Sequence, residues 1–147
     1  MSAVSFFSFL NTKVIRYSPK ILSLDLSDTG SLAEKCHEAV GFYGRVDILL
    51  NNAGVSYRGS VLETDIAVDR RVMEVNFFGT IALTKGIQRK TAEDQKGVCS
   101  FFYTGLLPSM LEQGGGTVVV ISSLQGKMGI PQRSSCNFAE FDRFSFL

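Results

Sequence analysis

Four short stretches hold the residues that could do chemistry: ILSLDLSD with Asp25, NNAG from Asn51 to Gly54, VNFFG with Asn76, and VVVISS closing on Ser123. They offer a carboxylate, side-chain amides, hydroxyls and a glycine turn, which suits holding and polarising a ligand through hydrogen bonds. Nothing points to a metal or a histidine catalyst. His37 is the single histidine, sits inside a helical pattern and has no obvious acid partner, so it reads as a filler. Cys36, Cys99 and Cys136 show neither C-x-x-C nor His/Cys ligand spacing. No metal site is expected, and a reducing intracellular setting is the easier assumption. Taken singly, NNAG is an Asn-Gly-type turn, Asp25 a helix or turn cap, and ISS a strand end. They become a site only if one frame brings them to one edge.

The hydrophobic pattern supplies that frame. ILSLDLSD, Ile21 to Asp28, alternates apolar and polar residues and ends in turn chemistry, as a strand leading to a loop would. Ser31-Leu-Ala-Glu34 follows as a capping box, with Leu32, Cys36, Ala39 and Val40 on one helical face and Gly41 and Gly44 as stop signals. VDILLNNAG, Val46 to Gly54, runs apolar without alternation, which fits a strand covered on both faces. From Asp65 a helical pattern places Val68, Val72, Val75, Gly79, Ala82 and Gly86 along one face, its small residues allowing a close neighbour. GGGTVVVISS is a glycine turn and a second buried strand. Strand, helix, strand, helix, strand is the grammar of a right-handed α/β sheet with ligands at the strands' carboxyl ends. Asp25, NNAG and ISS all fall there.

In that order and at those separations, Asp25, NNAG, the helix asparagine of VNFFG and the strand serine resemble the short-chain dehydrogenase/reductase family. YRGSVLETD, LLPSM and ISSLQGKMGIPQRSS narrow the likeness to one branch of it. The resemblance implies a Rossmann-like doubly wound parallel sheet, NAD or NADP as cofactor, and reduction of a carbonyl or oxidation of an alcohol by hydride transfer. It gives Asp25 to the adenine amino group and the Leu26 backbone to the ring. Asn51, Ala53 and Gly54 go to the ribose and nicotinamide side, where a small residue and a glycine let the backbone approach closely. Asn76 holds the helix open in a proton relay, and Ser123 hydrogen-bonds the oxygen that gains charge.

The family's general acid/base is a tyrosine thirteen residues after that serine, with a lysine four residues later. Counting from Ser123, those positions hold Cys136 and Glu140. A thiol can exchange a proton but is too short to reach, and a carboxylate is the wrong charge to grip a ribose. No G-x-x-x-G-x-G turn precedes Ile21, and only about twenty residues stand before it, too few for two further strands and their helices. In the family order 3-2-1-4-5-6-7, the strand at Ile21 would then have to find a new neighbour, swing free or pair with another chain. An insert, Ile87 to Gly105, separates TKG from LLPSM, which follow one another in relatives.

The expectation is therefore a partial α/β fold without its first strands and its C-terminal third: a non-matching extension over 1–20, a partial Rossmann domain over 21–135 with the insert at 87–105, and a non-matching tail over 136–147. Catalysis is not expected. Gly86-Ile87-Gln88 can be encoded with a splice donor, Phe101 to Gly105 with a pyrimidine tract ending in an acceptor, and Cys136 with a second donor. The insert and the tail then read as translated intron.

At 147 residues, 45% apolar and a net charge of +1, the chain can bury a core and asks for neither nucleic acid nor an anionic membrane. Gln88 to Lys96 is mixed in sign and reads as solvated surface. MSAVSFFSFL is too short to span a bilayer and lacks a basic start or cleavage site, leaving Phe6, Phe7 and Phe9 an interfacial or packing role at most. A cytosolic location is read from this, although the resemblance implies membrane-anchored relatives at the endoplasmic reticulum or peroxisome. Expected partners are a small carbonyl or alcohol and a second copy or a full-length relative.

Overall fold

The computed structural model describes residues 19–86 and 105–145, with side chains to Phe141. The aromatic start with Phe6, Phe7 and Phe9, the mixed-charge run, Cys99 and all of the insert except Gly105 lie outside the described residues. The described elements are α1 (Leu32–Tyr43), β1 (Ile48–Asn51), α2 (Ile66–Met73), a π-helical segment (Glu74–Phe78), α3 (Gly79–Lys85), α4 (Leu106–Glu112), β2 (Thr117–Val120), a 3₁₀ turn (Leu124–Gly126) and α5 (Ser134–Ser145). β1 and β2 pair in parallel, Ile48 beside Thr117 through Asn51 beside Val120. Thr117 N donates to Asp47 O and Ile121 N to Asn51 O, both at 2.9 Å, carrying the ladder past each end. The parallel α/β reading holds.

The segment Ile21–Asp28 does not form the expected strand. A strand exists only where a neighbour takes its backbone bonds, and neither of the two described strands pairs with this segment. The segment is held instead by its side chains and a turn. Leu26 is buried with Leu32, Val75 and Ala82, and Asp28 N donates to Asp25 O at 3.1 Å. Gly79 makes this seat: a Cβ there would lie 2.3 Å from Leu26 O, so only glycine lets the backbone sit against the helix.

β1 corrects a second expectation. Leu49 is 1% exposed and packs with Cys36, Leu106 and Met110, but Ile48 and Leu50 on the other face are 52% and 42% exposed. β1 is thus covered on one face and largely open on the other. An unbroken apolar run therefore does not by itself report burial on both sides.

The capping box also fails. Ser31 already has helical backbone angles, φ −85° and ψ −15°, and its Oγ turns back to donate to Asp28 O at 3.1 Å. Gly44 is the stop, with φ +77° and its N–H on Val40 O at 2.7 Å, while Gly41 stays inside the helix. Leu32 and Cys36 are buried and Ala39 and Val40 half-buried, as the pattern required.

Asp65 caps α2, its Oδ1 accepting from Ala67 N at 2.7 Å. The expected face follows: Val72, Val75, Gly79, Ala82 and Gly86 are buried and Val68 half-buried. The chain leaves α3 at Gly86, φ +84°, and returns at Gly105, whose added Cβ would stand 2.3 Å from Gly86 N and 2.5 Å from Thr84 O. Residues 87–104 thus join two points of backbone that already touch. α4 then packs on α1 and α3 through Leu106 and Met110, and α5 on α2 through Val72, Cys136 and Ala139.

Candidate functional site

Parallel pairing sets the carboxyl ends of β1 and β2 side by side, so NNAG and ISS emerge on one edge. Asn51 is buried there, and its Nδ2 donates to Thr84 Oγ1 at 3.0 Å, tying the strand end to α3. Thr84 Oγ1 donates to Thr80 O at 2.7 Å, and Thr80 Oγ1 to Asn76 O at 3.1 Å. This back-bonded ladder links the two asparagines through one helix face. Ala53 packs half-buried against the Leu26 cluster and Gly54 is exposed.

Asn76 sits in the middle of the π segment. A π turn carries an extra residue, weakens the regular ladder and persists where something compensates. Here the Asn76 side chain compensates. It is 2% exposed; its Oδ1 accepts from Val55 N at 2.8 Å and its Nδ2 donates to Val55 O at 2.9 Å. The amide thereby mimics a strand partner for the loop after NNAG.

Asp25 lies at the turn after the extended segment. Its Oδ1 accepts from Ser27 Oγ at 2.7 Å and Ser27 N at 2.9 Å, with Arg71 3.9 Å away. The Ser27 hydroxyl first, then the Ser27 N–H and the Arg71 charge, hold its carboxyl below the usual range. The Leu26 side chain faces the core, not the ligand edge.

Ser123 is exposed and caps the 3₁₀ turn, accepting from Gln125 N and donating to Gln125 Oε1, both at 3.4 Å. Its neighbour Ser122 donates to Glu140 Oε2 at 2.9 Å. Ser122 is a site residue that the motifs do not single out. Successive residues of an extended chain face opposite ways, so a serine pair at a strand end offers one hydroxyl to each side, and that signal was available.

On α5, Cys136 and Glu140 are one turn apart and both face inward, 1% and 7% exposed. Cys136 Sγ accepts from Tyr57 N at 3.3 Å, donates to Tyr57 O at 3.5 Å and lies 3.7 Å from Ser56 Oγ. Glu140 Oε1 accepts from Asn76 Nδ2 at 3.4 Å. Ser135 donates to Asp69, and Arg133 to Ser56. The structure thus gathers Asn51, Asn76 and Glu140 around one strand edge, with Ser123 on its outer side and Asp25 at the turn preceding α1.

A family model described as short chain dehydrogenase matches residues 11–102, and the chain belongs to the short-chain dehydrogenase/reductase family. The branch that its motifs pointed to is represented by dehydrogenase/reductase SDR family member 7B of Rattus norvegicus, 44% identical over 119 residues that cover 81% of this chain and 31% of that protein. The chain spans about a third of the length of the curated relatives it matches. Among solved structures it is similar to a short-chain dehydrogenase from Streptomyces avermitilis, 28% identical with a TM-score of 0.65, covering 85% of this chain and 39% of that one. ElxO with NADP bound superposes with a TM-score of 0.67 at 23% identity, covering 86% and 44%. The fold is a part of the family's Rossmann-type sheet. No helix of the described residues is long and apolar enough to cross a membrane.

Proposed function

We propose that this chain carries one half of a short-chain oxidoreductase centre and does not turn over. The observation that supports this reading is the inward face of α5. Carbonyl reduction needs a hydride on carbon and a proton on oxygen, the proton from a group within hydrogen-bond reach. Ser123, exposed at the end of β2, can donate to such an oxygen. Cys136 stands where the proton donor belongs, but its thiol is buried against the Tyr57 backbone.

The ligand class we assign is NAD or NADP, for which ElxO with NADP bound is the structural precedent. Asp25 would meet the adenine, with the Leu26 backbone beside it, and Asn51, Ala53 and Gly54 the ribose and nicotinamide side. That second end does not fit. Where an ammonium should hold the ribose stands Glu140, engaged by Ser122 and Asn76. Incubation with NADPH or NADH and a panel of carbonyls should consume no cofactor beyond the Ser123→Ala control; consumption above that control refutes the reading.

A second reading is a non-catalytic module that pairs with a second copy or a full-length relative. It is favoured by aromatic side chains turned outward, Phe78 beside α3 and Phe138 and Phe141 on α5. Co-purification with a full-length relative, lost in Phe138→Ser/Phe141→Ser, is its expected signature; elution as a monomer in the presence of that relative removes it.

A further inference from the structure

We propose that Glu140 is a clasp that holds the site's own groups in place, so that the position a lysine fills in the family has become a structural acceptor. Three elements meet at this one carboxyl. Oε2 accepts from Ser122 at the end of β2, Oε1 accepts from Asn76 in the π segment, and the backbone belongs to α5. Asn76 in turn holds both polar groups of Val55. One side chain therefore fixes the strand end, the π turn and, at second hand, the loop after NNAG.

The surroundings leave little freedom. Gly126 lets the 3₁₀ turn lie directly on α5: a Cβ there would be 2.9 Å from Glu140 O and 3.0 Å from Ser122 Oγ. Cys136, one turn earlier, is sealed against Tyr57, so α5 cannot slide to relieve a bad fit at Glu140. Ser122 and Asn76 each present a hydrogen to the carboxyl. Glutamate and glutamine can accept from them, because each has an acceptor oxygen toward the Asn76 amide, and a glutamine NH₂ can donate to the serine oxygen instead. Lysine has three donors and no acceptor, so it would meet the Asn76 NH₂ with hydrogens on both sides. The residue of the active family would thus take away the acceptor that Asn76 uses here.

Glu140 acts here as a positioning residue, independently of whether the chain turns over. The test is a stability series on the full chain with a spectroscopic readout on Asn76. Thermal midpoints should fall in the order wild type, Glu140→Gln, Glu140→Ala, Glu140→Lys, with Ala roughly 5 °C or more below wild type and Gln recovering at least half of that. Ser122→Ala should cost less in the Glu140→Ala background than in wild type, and the Asn76 side-chain amide should shift in ¹H–¹⁵N spectra of Glu140→Gln. If Glu140→Ala does not fold, Glu140→Gln carries the spectral comparison and Ser122→Ala the thermal one, with a loss of at least about 2 °C expected. A Glu140→Lys variant as stable as wild type, a Gln variant no better than Ala, or an unmoved Asn76 amide in Glu140→Gln overturns the clasp. Loss of the clasp with turnover still absent would leave the proposed function standing, and the reverse result would separate them the other way.

Discussion

Replacing Asn76 by alanine removes the side chain that satisfies both backbone groups of Val55 in the loop after NNAG. In the wild type its amide takes both the N–H and the C=O of Val55, at 2.8 and 2.9 Å. A polar group left unpaired inside a protein costs about 1 to 3 kcal/mol. Val55 is half-buried, so water can reach it in part and the lower end applies. Two such groups give about 2 to 3 kcal/mol. Alanine is the better helix former by about 0.6 kcal/mol, which offsets a little of this. The net expectation is a loss of about 2 kcal/mol, or roughly 5–8 °C for a chain of this size. Urea unfolding followed by far-ultraviolet circular dichroism measures it, with Lys35→Ala, which breaks only an exposed ion pair to Glu38, as a control within about 0.5 kcal/mol. An Asn76→Ala midpoint as close to wild type as that control, with the denaturant slope unchanged, would refute the claim that Asn76 holds the π turn and the loop together.

Gly79→Ala should cost more than 1 kcal/mol despite alanine's better helix propensity, because its Cβ would fall 2.3 Å from a backbone oxygen that cannot turn aside; equal stability by urea titration would contradict the close seat of Leu26. Cys36 is buried, and burial pushes its thiol up to about 11, so it should resist a disulfide reagent until the chain unfolds, which mass mapping of the labelled sites checks. Because that value is raised, the stability linked to Cys36 is whole below the thiol's ordinary range, about pH 8.5–9, and declines as pH rises toward 11; a Cys36→Ala variant should lose that alkaline slope. Asp25 works in the opposite sense. Its lowered carboxyl favours the fold above about pH 4 and ceases to do so as the pH falls further, an effect that Ser27→Ala should reduce. Genomic sequence at Gly86–Gln88, Phe101–Gly105 and Cys136 should show GT, AG and GT; plain coding sequence there would remove the translated-intron account.

The helical parts were the more legible. The face from Val68 to Gly86 and the face of α1 follow from side-chain period alone, since a helix makes its own backbone bonds and needs packing on one side only. Strands are different, because a strand is a relation between two segments. Ile21–Asp28 has the alternation but among the described residues has no neighbour, and β1 has the apolar run but a cover on one face. The site was legible where a residue type is costly in its element, as with Asn76 in a helix. It was not legible where geometry decides: neither the π turn nor the meeting of Ser122, Asn76 and Glu140 leaves a mark in spacing. In the sequence Glu140 is a negative charge where a positive one should grip the ribose, and the structure gives it internal partners.

The most direct test of the central claim follows the hydride itself. The chain is incubated at high concentration with NADPH or NADH deuterated at the transferable position, both faces being tried, together with a panel of aldehydes and ketones, and the alcohols are examined by mass spectrometry. With Cys136 sealed against Tyr57 and Glu140 held by Ser122 and Asn76, no deuterium should appear in any alcohol above the Ser123→Ala and protein-free controls. Deuterium in an alcohol with the wild-type chain, and not with Ser123→Ala, would contradict the account.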